Sequence, residues 1–201
     1  MKNLILALVC FGLVAMARAE DAAPKVEADK PGEKPAAKAA AKFIVILPEQ
    51  VDGEWYWSYY TADSQHIVQS AVEKELVNAG LDVIDVATLK LKGEGNVEAL
   101  LNPTAAAEKA KEAGAAYVIV GNATAVHGGT SVAYGLSVVR MAANLTAKIV
   151  RASDGKVLAV KDAEATEGGQ GARAAGQAAL KKAGADLAED LAKAAKKIAE
   201  Q

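Results

Sequence analysis

The chain has 201 residues, 52% hydrophobic and 24% charged, with a formal net charge of −2. That length holds about one domain with a sizeable core, and the lack of a basic excess excludes nucleic acid as a natural partner. The single cysteine, Cys10, leaves no second thiol for an internal disulfide.

The first residues have the pattern of an export signal. Lys2 supplies a positive charge, Leu4 to Ala17 is almost wholly apolar, and Ala17-Arg18-Ala19 puts small residues where a signal peptidase inspects the chain. Cleavage before Glu20 is expected, so 1–19 is a signal peptide. The apolar run of about 14 residues falls short of the roughly 20 that a membrane-spanning helix needs. Cys10 lies inside this segment behind the large Val9, which does not suit lipid attachment, so no stable membrane insertion is expected after cleavage. The secreted form keeps 21 basic side chains against 25 acidic ones, once Lys2 and Arg18 are gone.

Residues 20–42 contain Ala, Lys, Glu, Asp and Pro with almost no large apolar side chain. Such a segment buries too little surface to offset its ordering entropy, and a disordered linker is expected. Residues 43–201 then form a single domain.

Phe43-Ile44-Val45-Ile46-Leu47 before Pro48 is a continuous apolar run, as in a strand buried on both faces. Residues 49–62 read as a surface loop. Val68, Val72, Leu76 and Ala79 recur at helical spacing, with Asp63 or Ser64 as cap and Gly80 as stop. Leu81 to Val86 reads as the second strand. Thr104 is the expected cap of a short alanine-rich helix that ends at Gly114. Ala116 to Gly121 is a third strand, followed by a glycine-rich loop around His127-Gly128-Gly129.

Two long runs, 137–151 and 156–166, flank Ala152-Ser153-Asp154-Gly155. Alternation of Leu145, Ala147 and Ile149 with polar neighbours marks a half-exposed strand, and Asp154-Gly155 suits a tight hairpin. From about Ala172 the chain reads as a long helix with Leu180, Leu187, Leu191, Ala194 and Ile198 on one stripe. The expected fold is α/β with a mixed sheet, in the order β-α-β-α-β-β-β-α, closed by a C-terminal covering helix.

Motifs that carry chemistry are sparse. Gly169-Gln170-Gly171 before a helix is half of a dinucleotide-binding phrase, but the further strand with its acidic residue does not follow. Asp63 and His66 share a helical face without a third ligand, so no metal is expected. No nucleophile or metalloprotease signature occurs. The expectation is no catalytic residue, no cofactor and no enzyme.

The most specific feature is Gly53-Glu54-Trp55-Tyr56-Trp57-Ser58-Tyr59-Tyr60. Five aromatic rings (Trp55, Tyr56, Trp57, Tyr59 and Tyr60) fall within six positions of a chain that is 4% aromatic. In an extended stretch Trp55, Trp57 and Tyr59 share one side, and Tyr56 and Tyr60 the other. One set is expected to pack on the body and the other to form a partner-binding patch.

Several phrases together resemble a known superfamily. They are Ile44 to Pro48, Asn78-Ala79-Gly80-Leu81-Asp82-Val83-Ile84, Ala113 to Ala123, and Leu145 to Leu158 with its Asp154-Gly155 turn. The superfamily gathers the curli secretion lipoprotein CsgG, the FlgT middle domain, the penicillin-binding-protein activator LpoB and the TolB amino-terminal domain. Ala116 replaces its usual aspartate, and no stretch suits a membrane-crossing hairpin pair. The resemblance implies a periplasmic, non-catalytic protein that binds other envelope proteins in envelope or appendage assembly, with self-association as a further option. The alternative is a periplasmic protein binding a small ligand or glycan through the aromatic cluster.

Overall fold

The computed structural model describes residues 41–55, 66–86, 101–133 and 135–201. The reading of 1–19 as a signal peptide lies outside these residues, as does the linker reading of 20–42 apart from its last two positions, and Lys42 is already the first residue of β1. Seven described strands form one mixed sheet: β1 (Lys42–Ile46), β2 (Glu49–Val51), β3 (Glu54–Trp55), β4 (Asp82–Ile84), β5 (Tyr117–Ala133), β6 (Leu136–Arg151) and β7 (Val157–Gly169). Three described helices accompany it: α1 (Ile67–Asn78), α2 (Pro103–Glu112) and α3 (Ala172–Ala199). The fold class is α/β, a single domain closed by the C-terminal helix α3.

β1 lies inside the sheet, parallel to β4 on one side and to β5 on the other. Its alternation explains the uninterrupted apolar run. Phe43, Val45 and Leu47 join the core shared with α1 and α3, while Ile44 and Ile46 join the core under α2. Both helical layers pack by the residues whose spacing marked them: Val68, Val72 and Leu76 on α1, and Leu180, Leu187 and Leu191 on α3, all buried. Ala194 and Ile198 are partly buried at the end of the same stripe. On α2 the inner face is only Ala106, Ala107 and Ala110, so that layer is thin.

Helix ends follow backbone chemistry. Gly80 has φ of +79°, and Leu81 N–H donates to the Leu76 carbonyl at 3.0 Å, the six-residue closure that a left-handed glycine permits. At the start of α2 the cap is Asn102, which corrects the expected Thr104. Pro103 takes the first helical position, and Asn102 Oδ1 accepts from Thr104 N–H at 2.9 Å. The Asp154-Gly155 hairpin forms as expected, with Asp154 Oδ1 accepting from Lys156 N–H at 3.1 Å.

The third strand is far longer than its apolar core. β5 continues through Gly121 and through His127-Gly128-Gly129, where a one-residue bulge replaces the expected loop. β5 and β6 therefore make one long antiparallel ribbon, and β6 pairs β7 from Val139↔Gly169 to Val150↔Val157. The expected hairpin of 137–151 with 156–166 is thus present, extended at its open end to Leu136 and Gly169, with β7 starting at Val157 rather than at 156.

α3 approaches the body closely through glycine. A Cβ built on Gly176 would lie 2.5 Å from Val51 Cγ1, and Val51 is itself buried. Alanine at 176 gains up to about 1 kcal/mol of helix propensity, but it forces a stiff β-branched neighbour to move. Gly176→Ala is expected to lower stability by about 1–2 kcal/mol net, at the lower end of overpacking costs, read by urea denaturation. An increase in stability would show that β2 yields freely.

Candidate partner-binding site

Pro48 separates β1 from β2, and the chain then runs on along the same edge of β5. β1 pairs β5 up to Val120, β2 pairs it from Ala123 to Ala125, and Ala123 N–H donates to the Pro48 carbonyl at 2.9 Å. Two left-handed residues, Asp52 (φ 51°) and Gly53 (φ 83°), reverse the chain into β3. This is the two-residue turn favoured in hairpins because its twist matches the strands. Asp52 N–H donates to the Ala125 carbonyl at 2.8 Å, and Gln50 Nε2 donates to the Gly53 carbonyl at 2.9 Å. Both bonds hold the turn.

Trp55, the first ring of the aromatic run, closes β3 opposite Gln50. Among the described residues β3 pairs only with β2, so the run starts from an outer strand of the sheet. Tyr56, Trp57, Tyr59 and Tyr60 lie outside the described residues, as do Asp63 and Ser64. The surface loop expected over 49–62 is corrected in its first part: residues 49–51 and 54–55 are strand. The sequence did carry that signal, because Asp52-Gly53 between Val51 and Trp55 is the same hairpin cue as Asp154-Gly155.

The next described element is α1, whose N-cap is His66 without a side-chain cap bond. Its free N–H groups are met from β2 instead. Glu49 is 1% exposed, and its Oε1 accepts from Val68 N–H at 2.7 Å and from Gln69 N–H at 3.4 Å. Burial pushes the Glu49 carboxyl up to about 7, opposed by those N–H donors. Burial also raises Glu73, which accepts from Gln69 Nε2 at 2.9 Å, and lowers His66. Ionisable groups at this end of α1 are therefore driven toward their neutral forms. Sequence reasoning missed Glu49, since its partners lie 19 and 20 positions away.

Among the described residues no three His, Cys, Asp or Glu side chains approach closely enough to hold a metal ion. No described helix is long and apolar enough to cross a membrane. Gly169-Gln170-Gly171 links β7 to α3, with Gly171 as an N-cap that makes no side-chain bond.

A second exposed feature is the end of the β5–β6 ribbon. Its pairing with β2 stops at Ala125 and with β7 at Val139. Beyond those points Val126, Val132 and Leu136 are 49%, 75% and 60% exposed.

No protein-family model matches the chain, and no curated protein matches it. Solved structures do. Lipoprotein GNA1162 from Neisseria meningitidis is 20% identical, covering 80% of this chain and 99% of its own, with a TM-score of 0.42. The LpoB C-terminal domain from Salmonella enterica is 15% identical, covering 65% and 85%, also at 0.42. Hypothetical protein CT253 from Chlamydia trachomatis is 10% identical, covering 80% and 98%, at 0.47. These bacterial proteins are similar to the chain in outline and assign no role to any of its residues.

Proposed function

We propose that this chain is a non-catalytic protein-binding module of the bacterial cell envelope, exported to the periplasm and used in envelope or surface-appendage assembly. Its contact patch is the aromatic run Trp55, Tyr56, Trp57, Tyr59 and Tyr60. The observation that carries this reading is where the run begins. Its first ring, Trp55, closes β3, which among the described residues is an outer strand reached by a tight Asp52-Gly53 turn, whereas β1 lies in the middle of the core. Segments that join elements over the surface commonly carry binding residues, and Trp and Tyr are the side chains most often dominant at interfaces. Export rests on the Lys2, apolar run and Ala17-Arg18-Ala19 pattern.

The test is affinity capture of envelope proteins by the secreted chain and by its five single alanine variants. One alternating set of rings is expected to weaken capture by about 2 kcal/mol or more per residue, roughly thirtyfold. Its thermal stability should stay within about 0.5 kcal/mol, as for ordinary surface changes. The other set is expected to cost stability. If all five replacements destabilise the fold and none selectively weakens capture, the cluster is core and the reading fails. Retention by isolated peptidoglycan without any captured protein would favour the glycan-binding alternative.

A further inference from the structure

We propose that the outer edge of β5 from Val126 to Ala133 is a self-association surface, on which the same edge of a second copy of this chain pairs antiparallel about a twofold axis near Gly129-Thr130. The inference is independent of the aromatic patch and rests on the ribbon alone.

Among the described residues the edge is open. β2 occupies this side of β5 only as far as Ala125, whose carbonyl takes the last bond from Asp52 N–H. Past that point β5 continues for eight residues with β6 on its other side and no described strand on this one. Eight residues span about 26 Å at strand rise, longer than the usual strand of 5–6 residues. A bare edge of that length is a template for another strand.

The register identifies which groups face outward. Ala125 points its carbonyl to the outer edge, and strand alternation together with the one-residue bulge between His127 and Gly129 brings the outward role to Thr130 and Val132. Gly128, Gly129, Thr130 and Ser131 at the middle of the edge are small, so two backbones can approach there. His127 Nε2 and Thr130 Oγ1 meet at 3.1 Å across the bulge and hold its shape.

Charge selects the occupant. No Asp, Glu, Lys or Arg occurs between Glu112 and Arg140 in a chain that is 24% charged. The other long edge, on β7, carries Lys161, Asp162, Glu164 and Glu167. Charged side chains along an edge are an ordinary way to blunt it, and self-pairing centred between Asp162 and Glu164 would set these two carboxylates opposite each other. The β5 edge has no such guard against its own copy.

A lipid surface would cover Val132 and Leu136 but leave the edge N–H and C=O groups without partners, at a cost of several kcal/mol each. A second copy meets the backbone groups and covers apolar side chains together. Antiparallel pairing also places the two bodies at opposite ends of the joined ribbons, and an isologous pair closes on itself.

The test is sedimentation velocity of the secreted chain over a concentration series, with two variants. Thr130→Pro removes an outward N–H while leaving the β6 ladder intact, a position that an edge strand tolerates. Val132→Lys puts a lysine on the edge, where a charged side chain blunts strand pairing, and circular dichroism and thermal melts verify that both variants fold. The expected result is a monomer–dimer equilibrium in the native chain, shifted at least tenfold toward monomer in each folded variant. A native chain that stays monomeric at every soluble concentration overturns the proposal, even if it binds vesicles or another protein. So does a dimer that neither variant weakens.

Discussion

Gly121→Ala is expected to destabilise the domain by at least about 3 kcal/mol, and Gly121→Val to prevent folding at ordinary temperature. Gly121 sits in β5 opposite Ala147, between the last residue paired with β1 and the first paired with β2. A Cβ there would run into the Thr146 carbonyl and lie 2.7 Å from Ala147 Cα. These are backbone atoms of the paired strand, so no rotamer change relieves the overlap. The strands must separate where β1, β2, β5 and β6 all depend on them. Overpacking costs about 1–3 kcal/mol when side chains can shift, and a backbone obstacle exceeds that range. Against a total stability of about 5–15 kcal/mol, the loss is a large share. Gly128→Ala supplies the control, because its Cβ would sit 3.5 Å from the Arg140 carbonyl in ordinary contact. Urea denaturation of both variants checks the contrast. A Gly121→Ala change within about 1 kcal/mol of the native chain would show that the ribbon opens easily there.

Gly121 also shows why part of the fold escaped the sequence. A glycine after Tyr117-Val118-Ile119-Val120 has the look of a strand end, and His127-Gly128-Gly129 that of a loop. Glycine marks a need for space or for unusual φ, and in a strand both needs arise without the strand ending. Gly121 makes room for Thr146, and Gly128 is the extra residue of a bulge. The ribbon they sustain is what exposes Val132 and Leu136.

Periodic features were legible because they are local. The β1 run, the stripes of α1 and α3 and the Asp154-Gly155 hairpin all appear where spacing placed them. The same hairpin cue at Asp52-Gly53 was present but hidden by Pro48, which seemed to end the strand and instead only interrupts it. The candidate patch was legible as composition alone. Alternation divides its rings into two sets only while the chain stays extended, and the described strand reaches Trp55. The Glu49 contact had no local trace at all, since a carboxylate capping a helix 19 residues away is a product of the tertiary fold.

Glu49 gives the second large effect, one that depends on pH. Its carboxyl is raised from the ordinary range to about 7 by burial, so the folded chain holds this proton more tightly than the unfolded chain does. Below the unfolded value of about 4.5 both states are protonated, and the stability associated with this group is fully present. As pH rises from there to about 7 the unfolded state ionises first, and stability falls. Above about 7 the loss is complete, at about 3 kcal/mol for a shift of this order. Glu49→Gln keeps an oxygen acceptor for Val68 N–H and does not ionise, so it lacks this slope. The two proteins are expected to be similarly stable near pH 4.5, and the variant the more stable by up to about 3 kcal/mol at pH 8. Glu49→Ala removes the acceptor as well, leaving buried N–H groups at the start of α1 and costing about 1–3 kcal/mol at acid pH. Denaturant unfolding of all three proteins at a series of pH values measures the differences. Native stability that rises relative to Glu49→Gln between pH 5 and 8 would mean that the helix N-terminus holds Glu49 as an anion. In either case the same carboxyl joins β2 to the first turn of α1 through Val68 and Gln69 N–H, so its protonation state acts on the contact between these two elements.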